Sequence, residues 1–207
     1  MLALIPVVLA YSALWLSRLP GRPTLRTGLV AGLAAAWLAF LPNTCYLLTE
    51  WRHFLFNLDA QDLFVRSHGE PYLLAQLIGW SVFYLLYSGF GMMTFTLAIR
   101  PMEHLALRQG AAVWFWTLPF FVALSVGVYL GLIVRLNTWD IIGKPGAVWQ
   151  SVADLGGHPR LAAFIIAFGV FLWLAYESLD IWIDALAERW SRITGRRIHL
   201  GPKIKQV

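Results

Sequence analysis

Residues 25–50 read LRTGLVAGLAAAWLAFLPNTCYLLTE. From Leu25 to Leu41 the only polar side chains are Arg26 and Thr27, and then proline, asparagine, threonine, tyrosine and glutamate arrive within nine positions. As a helix, residues 27–41 rise about 22 Å, somewhat less than the roughly 30 Å hydrocarbon core of a bilayer. The same choice between buried core and membrane recurs along the chain, and composition decides it. Of 207 residues, 59% are hydrophobic and 13% are charged, with a mean hydropathy of +0.65. A soluble domain carries about 25% charged residues. Half that share, with the apolar residues in long blocks, defines an all-α integral membrane protein.

Working outward, four further blocks have the length a spanning helix needs. They are residues 2–17, 72–99, 111–134 and 161–183. With 25–41 they predict a bundle of about five transmembrane helices. The blocks are too long, and too free of period-two alternation, for barrel strands. The first lacks a basic leader, and its arginines (Arg18, Arg22, Arg26) follow the apolar run. That order predicts an uncleaved span and not a signal peptide. Under this topology eleven Lys and Arg residues fall on one side and five on the other. The positive-inside rule then predicts an N-terminus outside and a C-terminus in the cytoplasm. Residues 1–186 form one transmembrane domain, and 187–207 a basic cytoplasmic tail. That tail suits anionic headgroups, each Lys or Arg near such a surface being worth about 1 kcal/mol. No stripe of basic and aromatic residues suggests nucleic acid. The lone Cys45 excludes an internal disulfide.

Pro42 predicts a kink or break in the second span, because proline removes a backbone bond and clashes with the preceding turn. At that depth irregular backbone must be satisfied by protein or water, and Asn43 and Thr44 supply polar atoms. Beyond the break Asn43, Tyr46, Glu50, His53 and Asn57 recur at i, i+3, i+7, i+10 and i+14. This is one face of a helix, so a short amphipathic outer helix is expected there, with Thr49 beside the stripe. The fourth span ends on a similar signal, GVYLGLIVRLNTWDII at 127–142. Gly127 and Gly131 make a small-xxx-small face for close packing. Arg135, Asn137, Thr138, Trp139 and Asp140 follow. Five spans place both Asn-Thr motifs on one side, where they predict a shared polar cluster. In that cluster Arg135 pairs with Glu50 or Asp140.

LPNTCYLLTE and GVYLGLIVRLNTWD together resemble the hallmarks of an uncharacterised bacterial multi-pass membrane family, domain of unknown function 1361. Pro42, Asn43, Tyr46 and Thr49 match the first hallmark. Tyr129, Leu130, Gly131, Arg135, Asn137, Thr138, Trp139 and Asp140 match the second. Glu50 stands where aspartate is usual, Cys45 where proline is common, and Leu132 where a first arginine is expected. The resemblance implies a multi-pass fold in a bacterial inner membrane, and no activity.

The residue types limit the chemistry. Glu50-x-x-His53 has a spacing used in carboxylate-bridged metal sites, but those need several such contributors. Asp59, Asp62, His68 and Asp140 are scattered, so no metal site is assigned. Cys45 has no adjacent base and reads as an inert small residue. Ser88-Gly-Phe-Gly91 reads as a helix packing notch, and His104 and His158 as solvated loop residues. Glu177, Asp180 and Asp184 form an acidic stripe at the inner end of the fifth span, where Arg100, Arg189 or Arg192 can neutralise it. Most tryptophans and tyrosines lie near span ends, as interface anchors do; pigment or quinone carriers use the same residues, so the cofactor stays unknown. Three functions stand at this stage. The first is a non-enzymatic binding or scaffolding role centred on the outer polar cluster. The second is an accessory subunit of a larger membrane complex, with other membrane proteins as partners beside the lipid bilayer. The third is a membrane-embedded enzyme acting on lipid-linked substrates, with Glu50, His53 and Asp140 as its acid/base set.

Overall fold

The structure is a computed structural model that describes residues 2–20, 22–49, 54, 60–136 and 140–195. Among these residues the chain is helical, with no strand. In chain order the helices are α1 (Ile5–Arg18), α2 (Pro23–Phe40), α3 (Pro42–Thr49) and α4 (Ala60–Ser67). They continue with α5 (Pro71–Arg108), α6 (Val113–Leu132), α7 (Asp140–Gly143), α8 (Pro145–Ala153) and α9 (Pro159–Thr194). Prolines open α2, α5, α8 and α9, where the missing N–H is an orphan in any case. Gly110 and Gly195 take positive φ just past the ends of α5 and α9, the left-handed stop that glycine adopts without strain.

Four helices are long and apolar enough to cross a membrane: Pro23–Leu47, Pro71–Arg108, Val113–Leu132 and Pro159–Thr194. Ile5–Arg18 is a shorter apolar helix. The five apolar blocks of the sequence are therefore the five principal helices. Three details differ. The second span does not end at Pro42 but runs on to Leu47. α5 continues past residue 99 to Arg108, carrying Pro101 inside it. Its 38 residues measure about 57 Å, nearly twice the hydrocarbon core. Arg100 and His104 are therefore helix residues and not loop residues, and Arg100 is only 7% exposed. The loops also contain the short helices α4, α7 and α8, which no apolar run announces. α9 carries its helix through the first part of the tail, to Thr194.

The core lies where α1, α2, α3, α5, α6 and α9 meet. Ala10, Leu41, Cys45, Phe95, Ala98 and Leu172 are fully buried there. Trp37 reaches in from α2 and donates its indole N–H to the Ala98 carbonyl of α5 at 2.8 Å. Without water that donor has to find a protein acceptor, so the bond fixes the α2–α5 register. Ser125 of α6 likewise donates to the Ile165 carbonyl of α9 at 2.7 Å. One turn further along α9, Gly169 lies against α6 so closely that a Cβ there would stand 2.8 Å from the Val122 Cα. By contrast, the first half of α5 turns most of its large apolar residues outward, including Tyr72, Ile78, Phe83, Leu85 and Leu86.

Candidate functional site

The Pro42 segment folds back into helix after a single residue. Leu41 keeps helical angles (φ −57°, ψ −40°) and donates its N–H to the Trp37 carbonyl. Its own carbonyl accepts the Thr44 N–H at 3.1 Å and the Thr44 hydroxyl at 2.7 Å. Thr44 thus closes the turn that follows Pro42 onto the Leu41 carbonyl. The price in exposure is nil: Thr44 and Cys45 are fully buried. Asn43 and Tyr46 are half-buried. Far from standing off the bundle, α3 wedges between α5 and α6.

Three glycines make that wedge fit. A Cβ on Gly91 of α5 would stand 2.6 Å from the Leu47 Cβ. On Gly127 of α6 it would stand 3.2 Å from the Pro42 Cγ, and on Gly131 it would overlap the Tyr46 hydroxyl. The small-xxx-small face of the fourth span is therefore the seat of the Pro42 segment. The notch at 88–91 serves the other side of the same segment, through Gly91. Sequence placed both motifs on one side; their glycine and proline halves are in direct contact.

α6 then ends in a wound-out turn. The Tyr129 carbonyl accepts the N–H groups of Ile133 at 2.9 Å and Val134 at 3.3 Å, and the Leu130 carbonyl accepts that of Leu136 at 3.0 Å. Between them Arg135 sits at φ +62°. A left-handed conformation costs a non-glycine residue about 1–2 kcal/mol, and the Arg135 side chain is exposed. Asp140 opens α7 and is half-buried. Glu50, His53, Asn57, Asn137, Thr138 and Trp139 lie outside the described residues, as do Asp59 and the end of the tail.

Between α3, α6, α8 and the turn after α6 lies a cleft of about 250 Å³. Pro42, Tyr46, Gly127, Gly131, Leu136 and Val148 border it, with Ala123 and Leu38 on its outer wall. Both wall residues are exposed, so the cleft opens on the outside of the bundle. Its lining side chains are apolar apart from Tyr46. Periodicity missed Ala123 and Val148, whose side chains carry no chemistry of their own.

A second polar constellation occupies the opposite end. Arg100 of α5 places Nε 3.0 Å from an Asp180 carboxylate oxygen and its terminal nitrogen on Asp184, both from α9. The Tyr176 hydroxyl donates to the Glu103 carboxylate, and the Trp173 indole N–H donates to Glu177 at 3.1 Å. Asp180 and Asp184 of the acidic stripe are thus paired with Arg100, one of the three arginines the sequence offered, while Glu177 takes the Trp173 indole. Glu103 and Tyr176 escaped the sequence reading because 73 residues separate them and neither belongs to a motif. Asp140 is distant in the chain from this end, and among the described residues no group of three or more His, Cys, Asp or Glu side chains is arranged to hold a metal ion.

One consequence of the Tyr46–Gly131 contact is testable. Gly131→Ala displaces only the far end of a flexible side chain, and alanine gains about 1 kcal/mol in helix propensity. The unfolding free energy in detergent is expected to stay within about 1 kcal/mol of wild type, while Tyr46 leaves its seat and reshapes the cleft. A loss of several kcal/mol would mean that Tyr46 cannot move and is part of the core.

Four helices long and apolar enough to cross a membrane, packed with a shorter apolar one, define a multi-pass helical membrane protein. The family described as protein of unknown function (DUF1361) matches residues 1–175, and the chain belongs to that family. Comparison with curated proteins and with solved structures yields no match.

Proposed function

We propose that the protein is a non-enzymatic binding protein of the bacterial inner membrane, with its site on the extracytoplasmic side where α3 docks on α6. The observation that carries this reading is the cleft of about 250 Å³ bordered by residues of both motifs. Pockets for whole drug-sized ligands run from about 300 to 1,000 Å³ and combine apolar walls with a few polar groups. This one is slightly smaller and lined by apolar side chains apart from Tyr46, which suits part of an amphiphile better than a compact polar metabolite. Tyr46 is the one polar side chain among its lining residues, and Arg135 directly precedes Leu136 of its wall. The sequence motifs add Asn43, Thr49, Glu50, His53, Asn137, Thr138, Trp139 and Asp140 to the proposed cluster. Thr44 has a structural share, since its hydroxyl is spent on the Leu41 carbonyl.

The orientation follows from charge. With Arg100 inside α5, ten of the sixteen basic residues still flank the opposite ends of the spans, which the positive-inside rule assigns to the cytoplasm. Reporters active on only one side of the membrane, fused to each terminus, are expected to place the N-terminus outside and the C-terminus inside. A cytoplasmic N-terminus overturns the assignment of the cleft to the outer face.

The decisive experiment is purification in mild detergent from the native cell, with identification of what travels with the protein. One bound small molecule or lipid in constant proportion supports the binding reading. Constant protein partners support the accessory-subunit reading instead, for which the outward apolar face of α5 offers a surface.

A further inference from the structure

We propose that the cleft takes one extended hydrocarbon chain of a membrane lipid, which enters sideways from the bilayer and lies along the half of α6 that ends at Leu132. This rests on the binding reading above and names the part of the ligand that the cleft recognises.

Depth decides what can reach the cleft. α6 has 20 residues and rises about 30 Å, the thickness of the hydrocarbon core. Ala123 stands near its midpoint. With Leu38 of α2 it forms the outer wall, and both residues are exposed. The mouth between them therefore opens at the middle of the bilayer, where the surroundings are lipid tails and not water. From there two rows of lining residues run toward the surface. Leu38, Pro42 and Tyr46 on one side, and Ala123, Gly127 and Gly131 on the other, advance in steps of four. Pro42 meets Gly127 and Tyr46 meets Gly131, so the rows keep register and the cleft follows them.

Length and polarity fit a lipid tail. Phe120 borders the deep end, its ring stacked on Trp37 with centroids 6.0 Å apart. Trp37 is itself fixed by its bond to the Ala98 carbonyl, so a braced pair of rings stands there. From Phe120 to Gly131 the helix rises about 16 Å, against about 15 Å for one leaflet's half of the hydrocarbon core. The one polar side chain of the lining, Tyr46, brings its hydroxyl against Gly131, at the end nearer the surface. A lipid has the same order, with its ester groups at the surface and its tail below. A helix of a partner or of a second copy does not fit. It is about 10 Å across, so the same length of it fills roughly 1,000 Å³, several times the cleft's volume of about 250 Å³. Hydrocarbon gains little by leaving lipid for an apolar protein surface. Retention then depends on fit, which makes chain length the selected property and Phe120 the residue that sets it.

The test is native mass spectrometry of the full chain, released from detergent after incubation with phosphatidylcholines whose chains are shorter than a leaflet, matched to it or longer. Wild type is expected to retain one matched lipid in preference to the others. Ala123→Phe narrows the mouth and abolishes retention, as does Leu38→Trp from the other side. Leu86→Phe, at an exposed position of α5 outside the cleft, leaves it unchanged. Phe120→Ala lengthens the slot and moves the preference to the longer chain; Phe120→Leu does the same in smaller measure with less loss of packing. Thermal unfolding of each variant, run in parallel, separates loss of lipid from loss of fold.

No retained lipid, retention indifferent to chain length, or retention unchanged by Ala123→Phe each overturns the proposal. The reading beneath it is judged by the companion that travels with the protein from the native cell. If Ala123→Phe removes that companion but not phosphatidylcholine, the cleft is a site for a different ligand and only the lipid assignment falls. If Ala123→Phe removes neither, both fall.

Discussion

Arg100→Met is expected to cost about 3–5 kcal/mol of stability, the range for removing one partner of a buried ion pair. Methionine fills much of the same space, so the loss measures charge and not volume. Arg100 is the hub: its Nε faces Asp180 and its terminal nitrogen faces Asp184. With the guanidinium gone, two carboxylates remain on one face of α9, and α5 adds a third in Glu103. Asp184 is well exposed and can turn to water, whereas the Asp180 side chain is mostly covered. The cost therefore falls mainly on Asp180. The Nε and the facing Asp180 oxygen are buried without an aligned hydrogen bond, so charge more than geometry holds this arm of the pair. A cycle with Asp180→Asn isolates that arm. The asparagine removes the orphaned charge, so the double variant is expected to be more stable than Arg100→Met alone. Denaturant unfolding in detergent micelles provides the measurement. A change below about 1 kcal/mol, or strict additivity in the cycle, would show that this end is solvated and that Arg100 serves topology alone.

The physical reason that some of this was legible in the sequence, and some not, differs by element. Spans are legible because a bilayer imposes a minimum apolar length on each helix, and Tyr72–Ile99 or Leu161–Ile183 meet it without help from the rest of the chain. The Gly127–Gly131 face is legible because close packing leaves a period of four. The pairing of Asp180 and Asp184 with Arg100 was foreseeable in kind, since an acidic stripe near a membrane end needs a cation. Three features were not legible. Pro42 marks a break, but whether the helix resumes depends on Leu41 holding helical angles and on Thr44 closing the turn, which sequence spacing does not express. Pro101 does not end α5, so the helix carries Arg100 and His104 inward from what charge counting takes for a loop. The cleft wall is formed by Ala123, Leu136 and Val148, from three separate elements. Their meeting is a fact of tertiary packing, with no local pattern to announce it.

Gly169→Ala is expected to cost about 1–3 kcal/mol, the usual range for overpacking, although alanine is the better helix former by about 1 kcal/mol. The added Cβ would stand 2.8 Å from the Val122 Cα and 3.1 Å from the Phe121 carbonyl oxygen. Both obstacles are backbone, so relief requires α9 and α6 to separate, unlike the case of Gly131, where a tyrosine tip can swing away. Separation is opposed on both sides of the contact. One turn earlier, the Ser125 hydroxyl holds the Ile165 carbonyl at 2.7 Å; further along, Phe121 and Tyr176 have ring centroids 5.6 Å apart. Moving α9 outward stretches a bond that water cannot replace in the membrane interior and loosens the ring contact beside the Glu103–Tyr176 hydrogen bond. Val122→Ala should not rescue the variant, because it trims Cγ2 and leaves Cα in place. Gly28→Ala on α2 is the control: nothing lies within 4 Å of that added carbon, so only the propensity gain should register. Unfolding curves in detergent for the three variants and the double variant decide the matter. If Gly169→Ala matches Gly28→Ala, the two helices stand further apart than this contact requires, and the α6–α9 register has to rest on Ser125 and the aromatic pair alone.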